Sequence, residues 1–250
     1  MKRSNAALYG AGIFTTIAIR SGEPLFWDKH WRRLTGDAAR VGIDLAGYSK
    51  QTTCSVLDGS IHERGIVDGR ARITFADERP SDVWPGRESE QNTSLHIIVG
   101  ENRPPPSSFR LTVSPYPVNS RSPLAGVKSC NYLENILAIN EAKERGFHEG
   151  VRVNERGHIT SSCMSNVFWL NGETLYTPAL STGCLLGTTR EYVLENVECD
   201  EVEVGLDELS DAQTVFLTSA ALGICPVDEL DGRKLNGLDG KLLALWPPTN

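Results

Sequence analysis

The residues that invite a chemical reading are few and lie mostly in the second half of the chain. Gly187, Thr188 and Thr189 open a stretch with helical character, GTTREYVLENV. The first turn of a helix carries unsatisfied N–H groups and the positive end of the dipole, so it favours an anion such as a phosphate. Lys128 follows Gly126 and lies just ahead of a second helical stretch. An amine there serves chemistry if it is held at a fixed point, and otherwise is a solvated surface charge. Arg33 stands in His30-Trp31-Arg32-Arg33-Leu34 and is either a solvent-facing helix charge or an anion ligand. Asn166 opens an apolar run, and Thr218 and Ser219 are hydroxyls at a strand end. Their plain reading is turn chemistry. The five histidines show no paired spacing that would suggest zinc, and the six cysteines form no CxxC pair. Free thiols in a reducing compartment are expected, with no metal site.

The elements that must position these residues are partly legible. ALYGAGIFTTIAIRSGEPLFWDKHWRRL reads as strand, turn at Ser21-Gly22, strand, then helix. From Asp28 onward Trp31, Leu34, Ala38 and Val41 recur at helical spacing, and Gly42 can end that helix. A second helix is expected over SKQTTCSVLDGSI, and strands over ARITFA and SLHIIVG. FRLTVSPYPV reads as extended. Asn131 can cap the helix after Lys128, with Glu134 in the capping-box position and Leu133, Ile136, Leu137 and Ala142 as its apolar stripe. Gly146 can end it. Short strands follow: GVRVN, HITSS, NVFWL and ETLYT, the last two joined by an Asn171-Gly172 hairpin turn. The GTTR helix, EVEVG, TVFLTSA and CPVDELDG complete the chain. Long runs of strand with few crossover helices predict an α+β fold. Pro115, Pro117, Asn119 and Ser120 suggest a stiff linker at 116–123, separating a smaller domain (1–115) from a larger one (124–250).

The chain has 250 residues, enough for one large domain or two small ones, and a formal net charge of −7. The charge argues against nucleic acid as a partner. No run of 18 apolar residues is present, so no membrane span is expected, and the N-terminal residues do not read as a secretory signal.

Three blocks together carry a resemblance: GVKSCNYLENILAINEAKERGFHEG, HITSSCMSNVFWLNGETLYTP and STGCLLGTTR. In this order and spacing the chain resembles the fold-type IV pyridoxal phosphate (PLP) enzymes: branched-chain and D-amino acid aminotransferases and 4-amino-4-deoxychorismate lyases. The resemblance runs from YGAGIFTT to CPVDELDG. It implies a two-domain α+β fold with the cofactor in the interdomain cleft, a homodimer, PLP as cofactor and a small anionic amino substrate. It makes Lys128 the Schiff-base lysine and catalytic base, and Arg33, Thr188 and Thr189 phosphate ligands together with the Gly187 backbone. Ser219 stands near one further phosphate donor, and Asn166 orders the loop beside the ring.

Ser161 takes the place where the family normally has a glutamate facing the pyridine nitrogen, and the nearest acidic residue upstream is Glu155, in a turn. A serine cannot hold a positive charge on that nitrogen, which favours elimination over transamination. Phe14-Thr15-Thr16, the tryptophan of NVFW and the short chain also lean toward a lyase releasing 4-aminobenzoate and pyruvate, in the cytoplasm. A class IV aminotransferase is the alternative, and a non-catalytic homologue the second. Arg70, Arg72, Arg110 and Arg121 are the candidates for a substrate carboxylate, with surface ion pairing the plainer role for most.

Overall fold

In the computed structural model, residues 3–81 and 92–246 are described. By internal contacts the chain divides into two units. One takes the described residues up to Arg103 together with Val127–Tyr132, and the other takes Pro104–Gly126 and residues 133–246.

The first unit opens with a short helix α1 (Asn5–Tyr9), then β1 (Gly12–Arg20), β2 (Glu23–Pro24), α2 (Trp27–Val41), α3 (Lys50–Glu63), β3 (Gly69–Asp77) and β4 (Thr93–Glu101). The strands form an antiparallel sheet in the order β2-β1-β3-β4. The Ser21-Gly22 turn between the first two takes positive φ at both residues, as the hairpin reading requires. Helix α2 ends where expected, on Gly42 at φ 73. Helix α3 begins with a reciprocal capping box between Ser49 and Thr52. Such a cap stabilises by about 1 kcal/mol. Burying Leu57 and Ile61 against Ile13, Ile17, Ile73 and Phe75 contributes about 1.5–3 kcal/mol for each side chain. The apolar face, not the cap, therefore does most to hold α3 on the sheet.

The second unit contains β5 (Arg110–Val113), α4 (Leu133–Glu144), β6 (Glu149–Val153), β7 (Ile159–Ser162), β8 (Asn166–Asn171), β9 (Thr174–Pro178), α5 (Thr188–Asn196), β10 (Asp200–Val202), α6 (Asp207–Asp211), β11 (Thr214–Ser219), β12 (Gly223–Val227), β13 (Glu229–Leu230), β14 (Arg233–Lys234) and α7 (Gly240–Ala244). They build two mixed five-stranded sheets, β10-β9-β8-β11-β12 and β14-β13-β5-β6-β7. Trp169, Val215, Leu217, Leu111, Val151 and Ile159 share one core, and Phe168 stacks on Phe216 in another. The mixed α+β class read from the sequence is the fold observed.

Three local expectations differ. The 116–123 segment falls inside the second unit. Arg152, buried on β6, donates from Nε to the Tyr116 carbonyl (2.9 Å) and from Nη2 to the Pro117 carbonyl (2.8 Å), which ties the proline-rich run down. Asn131 does not cap α4: its amide donates to the Gly10 carbonyl, and the helix starts at Leu133. The apolar stripe of α4 also splits. Ala138 and Ala142 are buried, while Leu133, Ile136 and Leu137 are exposed. The six cysteines are all free thiols, and no helix among the described residues is long and apolar enough to cross a membrane.

Candidate active site

In the first unit the residues 128–130 lie along β1. The Phe14 N–H donates to the Lys128 carbonyl (2.9 Å), and the Cys130 N–H donates to the Gly12 carbonyl (2.8 Å). The other side of the Lys128 peptide is held as well, because its N–H donates to Asp37 Oδ2 at 3.1 Å. The side chain of Lys128 is half-buried. Its Nζ donates to Tyr132 Oη at 3.2 Å and lies 4.7 Å from the centre of the Phe14 ring. Withdrawal from water, then the charges of Arg33 and Arg72, push the amine down to about 7, with the Asp37 carboxylate opposing. An amine so placed exchanges protons near neutral pH, which is what a general base requires.

Helix α2 supplies the polar floor of this site. His30, Arg33 and Asp37 stand at positions i, i+3 and i+7 and are all buried, beside the apolar Leu34 and Ala38. Arg33 Nη2 donates to Thr15 Oγ1 (2.6 Å), and the same hydroxyl is 2.6 Å from His30 Nδ1. With Arg33 donating to it, the Thr15 hydroxyl is free to donate to His30. That suits a neutral imidazole, and burial followed by the Arg33 and Lys128 charges holds His30 well below its ordinary pKa. The four candidate arginines separate. Arg70 donates to Asn102 Oδ1 and to the Arg103 carbonyl, Arg110 is exposed, and Arg121 is exposed with Glu155 at 4.0 Å. Arg72 alone of the four lies over the Phe14 ring, at 3.5 Å, on the ring that Lys128 also faces.

In the second unit the predicted phosphate residues come together around the start of α5. Gly187 is its N-cap and offers no side chain, and Thr188 and Thr189 are buried in the first turn. Asn166 donates from Nδ2 to the Leu185 carbonyl (2.9 Å), and a Cβ at residue 187 would stand 2.0 Å from Asn166 Oδ1. Across the β8–β11 ladder Asn166 pairs with Thr218. Thr189 Oγ1 and Thr218 Oγ1 are both buried without a hydrogen-bond partner. Native structures rarely leave buried hydroxyls unpaired, and two of them near a helix N terminus fit an anion that accepts from both. Ser219 is less free: its Oγ accepts the Leu222 N–H at 3.1 Å and shapes the turn.

Ser161 is half-buried on β7, directly opposite Arg152 on β6. Glu155 is held elsewhere, accepting both the N–H (2.9 Å) and the hydroxyl (2.7 Å) of Ser120. The carboxyl beneath the loop that follows β7 is Glu149, which sequence reasoning passed over. Its Oε1 accepts the Met164 N–H at 3.2 Å, and burial pushes it up to about 7. Folding therefore favours the protonated form between about pH 4.5 and 7, and this contribution to stability is lost as pH rises through that window. Glu149→Gln should remove the loss. We expect the variant to gain on the order of 1–3 kcal/mol over the parent at pH 8 and little at pH 5. Parallel melting curves at both pH values would show instead that Glu149 titrates normally.

Sequence reasoning likewise assigned no role in this site to Asp37 or Thr15. The signal was present for Asp37: His30, Arg33 and Asp37 are polar residues on the face of a helix whose neighbours are apolar.

The sequence pattern of one family, described as Amino-transferase class IV, matches residues 12–230. An aminodeoxychorismate lyase of Bacillus subtilis (strain 168) is 28% identical over 232 residues, covering 90% of this chain and 79% of that protein. Among solved structures, the 4-amino-4-deoxychorismate lyase from Pseudomonas aeruginosa is similar at 25% identity with a TM-score of 0.83, covering 97% of this chain and 91% of that one. The branched-chain aminotransferase from Thermoproteus uzoniensis, solved with norvaline, is similar at 25% identity with a TM-score of 0.88, covering 97% and 85%.

Proposed function

The chain belongs to the class IV aminotransferase family, and from that premise we propose that it is a pyridoxal phosphate enzyme acting as a lyase, converting 4-amino-4-deoxychorismate to 4-aminobenzoate and pyruvate. The observation that carries the enzymatic reading is Lys128: an amine brought down to about 7, its peptide held on both sides, its Nζ on the Tyr132 hydroxyl. The choice of lyase rests on the two lyase relatives.

Bound PLP supplies an electron sink for the bond pair left at the amine-bearing carbon. In the first unit, Lys128 is the amine that attaches the cofactor, and Arg33 is a ligand for its phosphate. In the second, the Gly187 and Thr188 backbone and the Thr189 hydroxyl donate to the phosphate. Thr218, with its unpartnered hydroxyl, is a better further donor than Ser219. Asn166 keeps the α5 start in place through Leu185 and its packing on Gly187. Ser161 would meet the ring nitrogen with a hydroxyl, where a carboxylate would hold a proton. Lys128 Nζ takes the proton from the amine-bearing carbon, and departure of the enolpyruvyl group then leaves an aromatic ring. Tyr132 Oη holds Nζ in line for that transfer. Arg72, sharing the Phe14 ring with Lys128, is the residue we assign to a substrate carboxylate.

Since the base must be unprotonated, kcat should rise with pH through about 7 and level off above it. A profile flat down to pH 5 would assign the proton to another group. Release of pyruvate and 4-aminobenzoate from 4-amino-4-deoxychorismate tests the lyase reading directly. The similarity to the branched-chain enzyme supports transamination as a second reading. Steady amino transfer between an amino acid and a keto acid, without pyruvate release from the lyase substrate, would establish it.

The exposed Leu133, Ile136 and Leu137 of α4 support a homodimer, because an apolar stripe on a helix usually has a partner. The free thiols fit a cytoplasmic enzyme.

A further inference from the structure

Asp37 holds one side of the Lys128 peptide but has so far been given no role of its own, and its surroundings are unusual for a carboxylate. It is buried on α2, one turn after Arg33. It spends a hydrogen bond on the backbone of Lys128 rather than on a side chain, with Oδ2 3.1 Å from the amide nitrogen. The charged groups that face it are Arg33 and Arg40 from its own helix and Lys128. Those that face Lys128 are Arg33, Arg72 from β3 and Asp37, with the Tyr132 hydroxyl at 3.2 Å and the neutral His30 nearby. Two arginines would leave the amine in a strongly positive field, and Asp37 is the group that offsets them.

We propose that Asp37 is a positioning residue. Its carboxylate fixes the Lys128 peptide against β1 and supplies the negative charge that keeps the Lys128 amine able to take up a proton beside Arg33 and Arg72. The first role depends on an acceptor atom, and the second on charge, so the two separate by substitution. The Asp37 charge raises the pKa of Lys128, and an opposite charge within about 4–6 Å moves a pKa by about 1 unit or more. Loss of the charge alone therefore lowers the pH at which the nitrogen of Lys128 gives up its proton. This inference rests on Lys128 being the cofactor lysine.

The test uses the holoenzyme. First, borohydride reduction followed by mass spectrometry establishes in the parent protein that PLP is attached to Lys128. If it is not, the proposed function fails, whatever Asp37 does. Next, the visible absorbance of the bound cofactor is titrated against pH in the parent, Asp37→Asn, Asp37→Ser and Asp37→Ala. Asparagine keeps an acceptor at the same reach for the Lys128 N–H without the charge; serine, one bond shorter, removes the charge and serves for the midpoint if the asparagine variant does not fold. The expected result is a midpoint about 1 pH unit lower in the Asn and Ser variants, with PLP affinity in the Asn variant within about threefold of the parent. The alanine variant shows the same shift and a PLP affinity about tenfold weaker. Midpoints equal to the parent in all variants that fold, even if they melt at lower temperature, would reduce Asp37 to a packing residue and overturn the proposal.

Discussion

Lys128→Ala is expected to abolish turnover, with kcat lower by at least about 100-fold to 10,000-fold, the range general-base catalysis supplies. Borohydride should then fix no cofactor on the protein. The fold should survive. The backbone contacts of residue 128, to Asp37 and to the Phe14 N–H, do not involve the side chain that is removed. Stability should hold or rise. An amine brought down from 10.5 to about 7 binds its proton less well in the native state than in the unfolded chain, so the lysine works against folding below about pH 10.5, and most fully below about 7. Melting temperatures at pH 7.5 and single-turnover rates check both halves. Activity close to that of the parent would remove Lys128 from the chemistry, and collapse of the fold would make it a structural residue.

Gly187→Ala is expected to have the next largest effect, on cofactor binding. A methyl group at that position meets Asn166 Oδ1 at 2.0 Å, far inside contact distance. The Gly187 carbonyl also accepts the Glu191 N–H at 2.8 Å, so moving the residue disturbs the first turn of α5. We expect PLP affinity to fall by about 10–100-fold. Asn166→Ala in the same protein should recover part of the loss, because the two side chains share one space and their effects are not additive. Thr189→Ala probes the same turn more gently. If its hydroxyl donates to a charged phosphate, the holoenzyme loses about 1–3 kcal/mol of PLP affinity. The cofactor-free protein should lose nothing, because the hydroxyl there is buried without a partner. Equal losses in both forms would mean that Thr189 serves only packing. Titration of PLP by fluorescence, beside melting of the cofactor-free variants, distinguishes these outcomes.

Local patterns in the chain were sufficient for the α+β class, for the hairpin at Ser21-Gly22, for α2 with its Gly42 end and for the start of α5. Each depends on forces that act within a few residues: a left-handed turn, a helical apolar repeat, an open first turn. The motif blocks themselves contain Lys128, Gly187, Thr188 and Thr189, so sequence alone could propose them, and it proposed Arg33 from His30-Trp31-Arg32-Arg33-Leu34.

Other features were decided only by contacts between residues far apart in the chain. Asp37 and Lys128 are 91 positions apart, and only the docking of residues 128–130 on β1 brings that carboxylate to that amide. Asn131 looked like a helix cap, but the Gly10 carbonyl claims its amide. Leu133, Ile136 and Leu137 read as a core stripe because periodicity reports that a face is apolar without saying what covers it. Glu149 carries no local signal of its own: β7 and the loop after it close over its carboxyl and take away its water. Sequence alone thus determined which residue types stand at the start of a helix or beside a turn. The charge and partner of each buried group were settled by the tertiary structure, because desolvation and pairing depend on neighbours that the chain delivers only when it folds.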